Sequence, residues 1–426
     1  MTQNTSEPQL PIVTVTPTSL VYGGEAMGRL SDGRAVFVPY ALPGETVSMR
    51  LVEQKRGYAR GELLEVLTPS QARIEPLCTH FGVCGGCHYQ HMSYEDQLTA
   101  KTGILGEQLE RIGGLVDPPV EPAVSSPNQT LYRNHVQFHL TADGKIGYHK
   151  ARSDEVLPIQ ECHLPESPLN TIWPQLDFET FPGLERFALR LGIEDDVQII
   201  LESSDLQAPE INIQDLPVSV VHLSPGGSLV LGGNEAVWIE VLDRSFQVSA
   251  GSFFQVNTPM AAGMVAHLLE ILPNYQPFKS DATLLDVYCG VGLFSAYLAP
   301  LVSRLVGIES SPAAASDFVA NLDEFDHVEL YEATAEEVLP NLDITPDIVL
   351  LDPPRAGISR RAMDGLLGLD SPLLVYISCD PATLARDAKR LTARGYRLEQ
   401  ITPFDLFPQT YHIESISFWT IGVKVN

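Results

Sequence analysis

One cysteine near the end of the chain stands where an apolar run gives way to a helical pattern. In LLVYISCDPATLARD the apolar stretch ends at Cys379, and Asp380 and Pro381 follow. Such a cysteine can be a small buried side chain, a metal ligand or a nucleophile, and inert burial is the commonest of these. A thiolate near a helix start is stabilised, and Arg386 lies within two turns, so the setting favours an activated thiol.

A carboxylate downstream could complete a reaction that begins at this cysteine. Glu414 lies just before the last apolar segment, in DLFPQTYHIESISFW, with His412 nearby. On its own the pattern predicts a solvent-facing residue of an alternating strand. Methylation of a pyrimidine at C5 would require such a carboxylate. In that reaction a thiolate adds at C6, and a base must later remove the C5 proton.

A glycine turn further upstream could bind the methyl donor. LLDVYCGVGLFS predicts a strand, a turn with Gly290 and Gly292, and the start of a helix. The next predicted strand ends at Glu309, where a carboxylate can bind a ribose diol. A GxG turn alone occurs in many α/β proteins. The order Asp286, Gly290, Gly292, Glu309 favours S-adenosylmethionine (AdoMet) over a dinucleotide, for which GxGxxG is usual.

A second loop points to the same edge of the predicted sheet. In VLLDPPR, residues 349–355, Asp352 follows a strand at the end where open α/β sheets bind ligands. The two prolines force an extended turn without backbone donors. Alone, the loop could be a rigid surface turn. Similar loops also occur in amino-group methyltransferases, which need no enzyme nucleophile, so that activity remains an alternative.

The elements that must position these residues form an α/β pattern. From about residue 259 strands alternate with helices, which is typical of a doubly wound parallel sheet. Cys379 ends the strand after the one that leads to Asp352, so both are expected on one edge. Residues 11–67 hold short runs broken by Gly and Pro, which predict a small antiparallel OB-like barrel. Residues 130–250 are again β-rich.

Four further cysteines have the spacing of a metal site. Cys78, Cys84 and Cys87 form C-x5-C-x2-C, and Cys162 lies far along the chain. Three close thiols and a distant one predict a four-thiolate site for zinc or an iron–sulfur cluster, and nearby histidines keep zinc open. Unrelated thiols on a glycine-rich loop are the alternative. Cys289, in the cofactor turn, is expected to serve packing.

The composition describes a globular chain of two or three domains. It has 426 residues, of which 44% are hydrophobic and 19% charged. No apolar run reaches the ~18 residues of a membrane span, and the polar N-terminus lacks signal-peptide features, so we expect a cytoplasmic protein without a membrane partner. A net charge of −27 argues against nonspecific polyanion binding. Basic segments at 50–60 and 386–397 nevertheless suit a selective nucleic-acid enzyme.

The motifs together resemble a known family. ISCDPATLARD, DLFPQTYHIES, LLDVYCGVGLFS and LLDPPRAG resemble the RNA 5-methyluridine (uracil-C5) methyltransferases, and they follow the order found in that family. The resemblance implies that Cys379 is the nucleophile and Glu414 the proton-abstracting base. It also implies AdoMet contacts at Gln255, Tyr288, Glu309 and Asp352. Leu293 departs from the family, where many members have Asn, and this removes one polar AdoMet contact.

The resemblance extends to the N-terminal half. It tips the four-cysteine site towards a [4Fe–4S] cluster, which the rRNA-modifying branch carries on the same cysteine spacing. RLVEQKRGYARGELLEVL resembles the TRAM domain, an RNA-binding barrel. Such a barrel would hold folded RNA by its phosphates while the target uridine flips into the site.

We therefore expect a monomeric α/β RNA uracil-C5 methyltransferase. The expected parts are a disordered tail (1–10), a TRAM domain (11–68), a β-rich central domain with the iron–sulfur site (69–250), and a Rossmann-like AdoMet-dependent domain (251–426). RNA is the expected partner, and 23S rRNA is favoured over tRNA. The alternatives are a tRNA uracil-C5 enzyme, an amino-group methyltransferase, and a redox-sensing RNA-binding protein without catalysis.

Overall fold

The computed structural model describes residues 11–178, 183–211, 216–275 and 281–422. The expected disordered tail, residues 1–10, lies outside these ranges. Within them, no helix combines the length and the apolar character that crossing a membrane requires.

The N-terminal unit is a six-stranded sheet in the order β1-β5-β6-β4-β3-β2. Side chains along β4 alternate between buried and half-buried, which directs one face into a small core. The β-rich barrel expected here is confirmed, but β4 and β6 pair in parallel rather than antiparallel. Its strands are β1 (Ile12–Val15), β2 (Ser19–Val21), β3 (Glu25–Arg29), β4 (Ala35–Pro39), β5 (Thr46–Gln54) and β6 (Tyr58–Thr68).

A long helix, α1 (Tyr94–Gln108), follows the cysteine-rich loop. Ser93 caps it by accepting a hydrogen bond from the backbone N–H of Asp96, and acidic residues in its first turn suit the helix dipole. A π-helical turn extends it, and Gly114 ends it in the left-handed conformation. These start and stop signals explain why the helix forms where it does.

The central unit is a seven-stranded sheet in the order β13-β12-β11-β10-β7-β8-β9. Phe138 of β7 and Phe187 of β10 pair across the strands, and their rings stack at 5.2 Å in its core. The elements are β7 (His135–Leu140), β8 (Ile146–His149), β9 (Val156–Pro158), α2 (Ser167–Ile172), β10 (Leu184–Leu191), β11 (Val197–Ser203), β12 (Val218–Ser224) and β13 (Gly227–Gly232).

A separate hairpin leads into the C-terminal unit. It consists of β14 (Ala236–Val241) and β15 (Arg244–Ser249). Its apolar side chains, including Val237 and Phe246, belong to the core of the C-terminal sheet. Asp317 further fixes it by accepting hydrogen bonds from Ser249 and Gln247.

The C-terminal unit is a seven-stranded sheet in the order β18-β17-β16-β19-β20-β22-β21. Its first five strands are parallel, β22 pairs antiparallel with β20, and β21 pairs antiparallel with β22, so only β22 is reversed. Strand β20 is buried at every position, as expected for a strand with both faces covered. The α/β architecture expected from the sequence is confirmed.

The elements of this unit are α3 (Thr258–Tyr275), β16 (Thr283–Val287), α4 (Leu293–Leu298), β17 (Arg304–Glu309), α5 (Pro312–Asn321), β18 (Val328–Glu332), α6 (Ala335–Val338), β19 (Ile348–Leu351), α7 (Arg360–Gly368), β20 (Leu373–Ser378), α8 (Pro381–Arg394), β21 (Tyr396–Phe404) and β22 (Glu414–Ile421).

The edge strand β21 of the C-terminal sheet is covered by the chain segment that precedes the central unit. The segment 119–124 lies along this strand through backbone hydrogen bonds, including Val124 N–H to the Pro403 carbonyl. Next to it, Lys101 of α1 forms a buried ion pair with Asp405, with Nζ and Oδ1 2.5 Å apart. Covering the edge strand removes unpaired backbone groups and ties helix α1 to the C-terminal sheet.

Replacing Lys101 with Met tests the buried ion pair. Asp405 would remain buried without its cation, so we expect the free energy of unfolding to fall by about 3 kcal/mol, measured by urea denaturation. Lys389→Ala, at an exposed position, is the matched control and should change it by less than about 0.5 kcal/mol. Equal stabilities for the two variants would contradict the role given to the pair.

Candidate active site

The proposed catalytic and cofactor residues lie around one cavity at the carboxyl edge of the C-terminal sheet. Strands β17, β16, β19 and β20 are parallel neighbours, so their ends and the loops that follow lie side by side. The cavity has a volume of about 1010 Å³. All six residues expected from the sequence line it: Gln255, Tyr288, Glu309, Asp352, Cys379 and Glu414.

The pairing of β20 with β22 brings the proposed nucleophile and base together. Because the two strands are antiparallel, β22 begins where β20 ends, and Ser378 pairs with Ser415. Cys379 follows the end of β20, and Glu414 is the first residue of β22. Glu414 is only 6% exposed, so it is not the solvent-facing residue that its pattern alone predicts.

The glycine turn after β16 has the conformation that a close ligand contact requires. Gly292 has φ +89° and begins α4, and a Cβ there would lie 2.4 Å from the Leu322 side chain. Gly290 has φ +55°, and a Cβ there would meet no other atom within 4 Å. Tyr288 adopts φ +67°, which is strained for a non-glycine residue. The turn is therefore held in a special shape with open space beside Gly290.

Glu309 holds this turn to the end of β17. Its Oε2 accepts a hydrogen bond from the Gly290 N–H at 3.0 Å, and its Oε1 accepts from the N–H groups of Ser310 and Ser311. Asp286 lies behind the turn and accepts a hydrogen bond from the Ser295 hydroxyl. Burial raises the pKa of Asp286 to about 7. A ribose bound here would share carboxylate oxygens that already order the loop.

The environment of Cys379 differs from the one expected. Helix α8 does start just beyond it, but Asp380 caps the helix by accepting from the N–H groups of Ala382 and Thr383. Burial raises the pKa of Cys379 to about 12, and the charges of Glu414 and Asp352 add to this. The prediction of a lowered thiol pKa is therefore wrong for the free protein, because another side chain takes the helix terminus and the thiol faces carboxylates.

The nearby cation is also not the one expected. Arg386 donates hydrogen bonds to the Ala356 carbonyl and to Asp387, so it supports the loop after Asp352. Arg355 is the cation that acts on Cys379, and it lowers the pKa of the thiol against the larger effect of burial. Sequence spacing favoured Arg386, whereas the motif DPPR contained the relevant residue.

The carboxylates of the cavity are strongly desolvated. Burial raises the pKa of Asp352 to about 7, and the charge of Asp286 contributes. Burial also raises the pKa of Glu414 well above its usual value, with Asp352 adding to the shift and Arg355 and Lys101 opposing it. Burial lowers the pKa of His412 to about 3, so this residue is neutral at physiological pH. Carboxyl groups with raised pKa values suit proton acceptance.

The loop that leads to Glu414 is fixed by side chains outside the C-terminal sheet. Gln409 has φ +69°, a strained value, and its N–H and side-chain oxygen form two hydrogen bonds with Gln97 of α1. Its carbonyl accepts from the N–H groups of His88 and Tyr89. Sequence reasoning missed this clamp, because the residues are far apart in the chain and have no shared pattern.

The four predicted metal ligands meet in a second, smaller cavity. Cys78, Cys84, Cys87 and Cys162 line it together with Arg133. Burial raises the pKa of each thiol, to about 12 for Cys87. The contacts described for the Arg133 guanidinium are with the rings of Tyr132 and Phe407, rather than with a carboxylate.

The basic segment of the N-terminal sheet is largely paired. Arg50 contacts Glu62, Lys55 contacts Glu53, and Arg60 contacts Glu25 and Glu53. Ion pairs at an exposed surface are weak, so phosphates could compete for these cations. The basic side chains of this segment are thus less available to phosphates than the sequence indicates.

The comparison with known families decides the assignment. Residues 198–420 match the tRNA (uracil-5-)-methyltransferase model, and residues 12–64 match the TRAM domain. The chain belongs to the tRNA (uracil-5-)-methyltransferase family. It is an RNA methyltransferase with an N-terminal TRAM domain, and the resemblance to the uracil-C5 methyltransferases and to the TRAM domain is confirmed.

Relatives and a solved structure agree with this. Uncharacterized RNA methyltransferases of Thermosynechococcus vestitus and Aquifex aeolicus are each 34% identical, over 94% and 95% of this chain and 96% and 97% of theirs. The structure of Pyrococcus abyssi tRNA (uracil-54, C5)-methyltransferase with S-adenosyl-L-homocysteine covers 96% of this chain and 100% of its own, with a TM-score of 0.71. At 24% identity, that likeness shows a shared fold.

Gly292→Ala tests the strained cofactor turn. The added Cβ would meet Leu322 at a φ that disfavours alanine, so we expect the free energy of unfolding to fall by about 2 kcal/mol. Gly263→Ala lies inside α3, where a Cβ meets no atom within 4 Å, and should instead stabilise by about 0.5 kcal/mol. Denaturant unfolding measures both, and a neutral Gly292→Ala would contradict the strain argument.

Proposed function

We propose that this protein methylates C5 of uridine in RNA, through a covalent bond between Cys379 and C6 of the base. The observation that carries the proposal is the meeting of Cys379, Glu414 and Asp352 at one cavity, beside a glycine turn of the methyltransferase type. An amino-group methyltransferase would use the DPP loop without a cysteine or a second buried carboxylate. The pairing of nucleophile and base therefore favours C5 chemistry.

The residues around the glycine turn fit AdoMet. The open space beside Gly290 suits close approach of a ligand to the backbone, and Glu309 is placed for a ribose. Gln255, Tyr288 and Asp352 would complete the pocket. When bound, AdoMet supplies the electrophilic methyl group. Leu293 lines the cavity but offers no polar contact, because its side chain is apolar.

The residues of the chain then carry the other steps. The Cys379 thiol releases its proton to solvent and its sulfur bonds to C6, so the electron pair of the C5=C6 bond moves towards O4 and C5 becomes an enolate-like nucleophile. After C5 has gained the methyl group, the Glu414 carboxylate accepts the C5 proton. The C6–sulfur bond breaks, C5=C6 reforms, and the thiolate is released. The raised pKa of Glu414 matches its role as acceptor, whereas the raised pKa of Cys379 makes thiolate formation costly.

The four-cysteine site is proposed to hold a [4Fe–4S] cluster. The four cysteines line one small cavity, which supports a shared four-thiolate site, and the family resemblance favours a cluster over zinc. The half-buried guanidinium of Arg133 also suits an anionic group in this cavity. We assign the cluster a structural role near the RNA.

We further propose that residues 11–68, 69–250 and 251–426 act as RNA-binding, cluster-binding and catalytic domains. The target proposed is a uridine of 23S rRNA, supported by the TRAM domain and the cysteine site. The second candidate is tRNA, because the Pyrococcus abyssi protein of the same fold is a tRNA (uracil-54, C5)-methyltransferase.

Two variants test the covalent mechanism. Cys379→Ala should abolish 5-methyluridine formation from labelled AdoMet, since C5 alone is too weak a nucleophile. Glu414→Gln should instead accumulate a methylated protein–RNA adduct that survives denaturing electrophoresis, because the C5 proton stays in place. The double variant should form no adduct. Undiminished transfer of the labelled methyl group by Cys379→Ala, to a product other than 5-methyluridine, would indicate amino-group methylation instead.

Mapping of 5-methyluridine in a deletion strain distinguishes the two RNA targets. Mass spectrometry of 23S rRNA and tRNA should show one or more 5-methyluridines lost from rRNA and restored by the wild-type gene but not by the Cys379→Ala gene. Loss confined to tRNA would support the second candidate. An unchanged pattern in both RNAs would contradict the proposed function.

A further inference from the structure

The TRAM domain touches the loop of the proposed nucleophile directly. Tyr22, the residue after β2, donates a hydrogen bond from its hydroxyl to Oδ2 of Asp380 at 2.8 Å. Asp380 is the neighbour of Cys379 in the chain. The two residues of this hydrogen bond are separated by 358 positions in the sequence.

The same tyrosine also contacts the segment that carries the proposed base. Its ring packs edge-on against Tyr411, with centroids 5.6 Å apart and an interplanar angle of 88°. Tyr411 in turn packs against His412, two residues before Glu414. A single TRAM side chain thus contacts both segments from which the proposed catalytic groups extend.

The Asp380 carboxylate is held at both oxygens. Oδ1 accepts hydrogen bonds from the N–H groups of Ala382 and Thr383, at 3.0 and 2.8 Å, and so caps α8. Oδ2 accepts from Tyr22. Burial and the hydrogen bond to Asp380 raise the pKa of Tyr22, so its hydroxyl remains a donor at physiological pH. The orientation of the residue next to Cys379 therefore depends on the TRAM domain.

This contact also changes the charges that face the thiol. The charged groups acting on Cys379 are the carboxylates of Glu414, Asp352 and Asp380 and the guanidinium of Arg355. A hydroxyl that donates to a carboxylate stabilises its negative charge and reduces its effect on neighbouring groups. Removing the donor would leave the Asp380 charge less compensated beside Cys379.

We propose that Tyr22 is a positioning residue of the methyltransferase site. Its hydroxyl orients Asp380 and partly compensates the charge of that carboxylate, and through it Tyr22 sets the reactivity of Cys379. The TRAM domain then takes part in assembling the active site as well as in RNA binding. This inference rests on the proposed role of Cys379 as nucleophile.

Tyr22→Phe in the full-length protein tests the inference, because it keeps the ring against Tyr411 and removes only the donor. The probe is iodoacetamide, applied without RNA between about pH 7 and 9, and mass spectrometry quantifies the peptide that contains Cys379. We expect alkylation about threefold slower at each pH, equal to a shift of about half a pH unit. Tyr58→Phe, in the same domain with its ring against Phe37, should match wild type.

Asp380→Asn should change the rate of Cys379 alkylation in the opposite direction, which a folding defect in Tyr22→Phe could not imitate. It removes the negative charge while an Asn still caps a helix, so alkylation of Cys379 should be faster than in wild type. In that background Tyr22→Phe should have almost no further effect, because the two changes act on one interaction. Slower alkylation in Asp380→Asn would contradict the proposal, whatever the stability of Tyr22→Phe.

Two outcomes for Tyr22→Phe overturn the proposal. Alkylation at the wild-type rate would show that other contacts determine the orientation and charge of the Asp380 carboxylate. Faster alkylation would show that the hydroxyl only limits access of the reagent to the loop.

Methylation assays on Tyr22→Phe give a second readout. We expect kcat to fall while KM for RNA stays constant, and a change in KM alone would indicate an RNA contact instead. Slower alkylation in a protein whose wild type makes no 5-methyluridine would support the effect of Tyr22 on Cys379 while refuting the proposed function.

Discussion

The parallel arrangement of β17, β16, β19 and β20 is the constraint on which the site depends. Parallel neighbours end at the same edge, so four loops that are distant in sequence must surround one cavity. Strand β22 adds Glu414 to this edge, because it pairs antiparallel with β20 and therefore starts where β20 ends. Strand direction thus brings the proposed nucleophile and the proposed base to the same edge of the sheet.

Placing these ionisable groups close together destabilises their charged forms. Three carboxyl groups, on Asp286, Asp352 and Glu414, and the Cys379 thiol lie around one cavity, and each pKa rises because burial disfavours the charged form. Arg355 and Lys101 offset only part of this. The raised pKa makes the Glu414 carboxylate a stronger proton acceptor once it is ionised, whereas a protonated Cys379 thiol disfavours the first step of the proposed reaction. The protein enters the reaction with a thiol rather than a preformed thiolate.

The sequence predicted well those strands and turns whose signals lie within a few consecutive residues. Buried strands such as LLVYIS, and turns such as CGVG and DPP, carry their signals within a few residues, so the sheet, the cofactor turn and the edge position of Cys379 were predictable. The state of Cys379 was not, because it depends on Asp380 taking the helix terminus and on Glu414 arriving from another strand. Arg386 was likewise misjudged, since sequence spacing does not tell which loop a long side chain supports.

The long loop between β21 and β22 explains why the N-terminal units are needed beside the catalytic sheet. A sheet fixes its strand ends but not a loop of this length, and the strained Gln409 would relax if nothing held it. Helix α1 supplies that restraint through Gln97 and Lys101, and Ile413 is buried in the core of the N-terminal sheet. The position of Glu414 is thus set from two sides, by strand pairing on one and by the N-terminal half on the other.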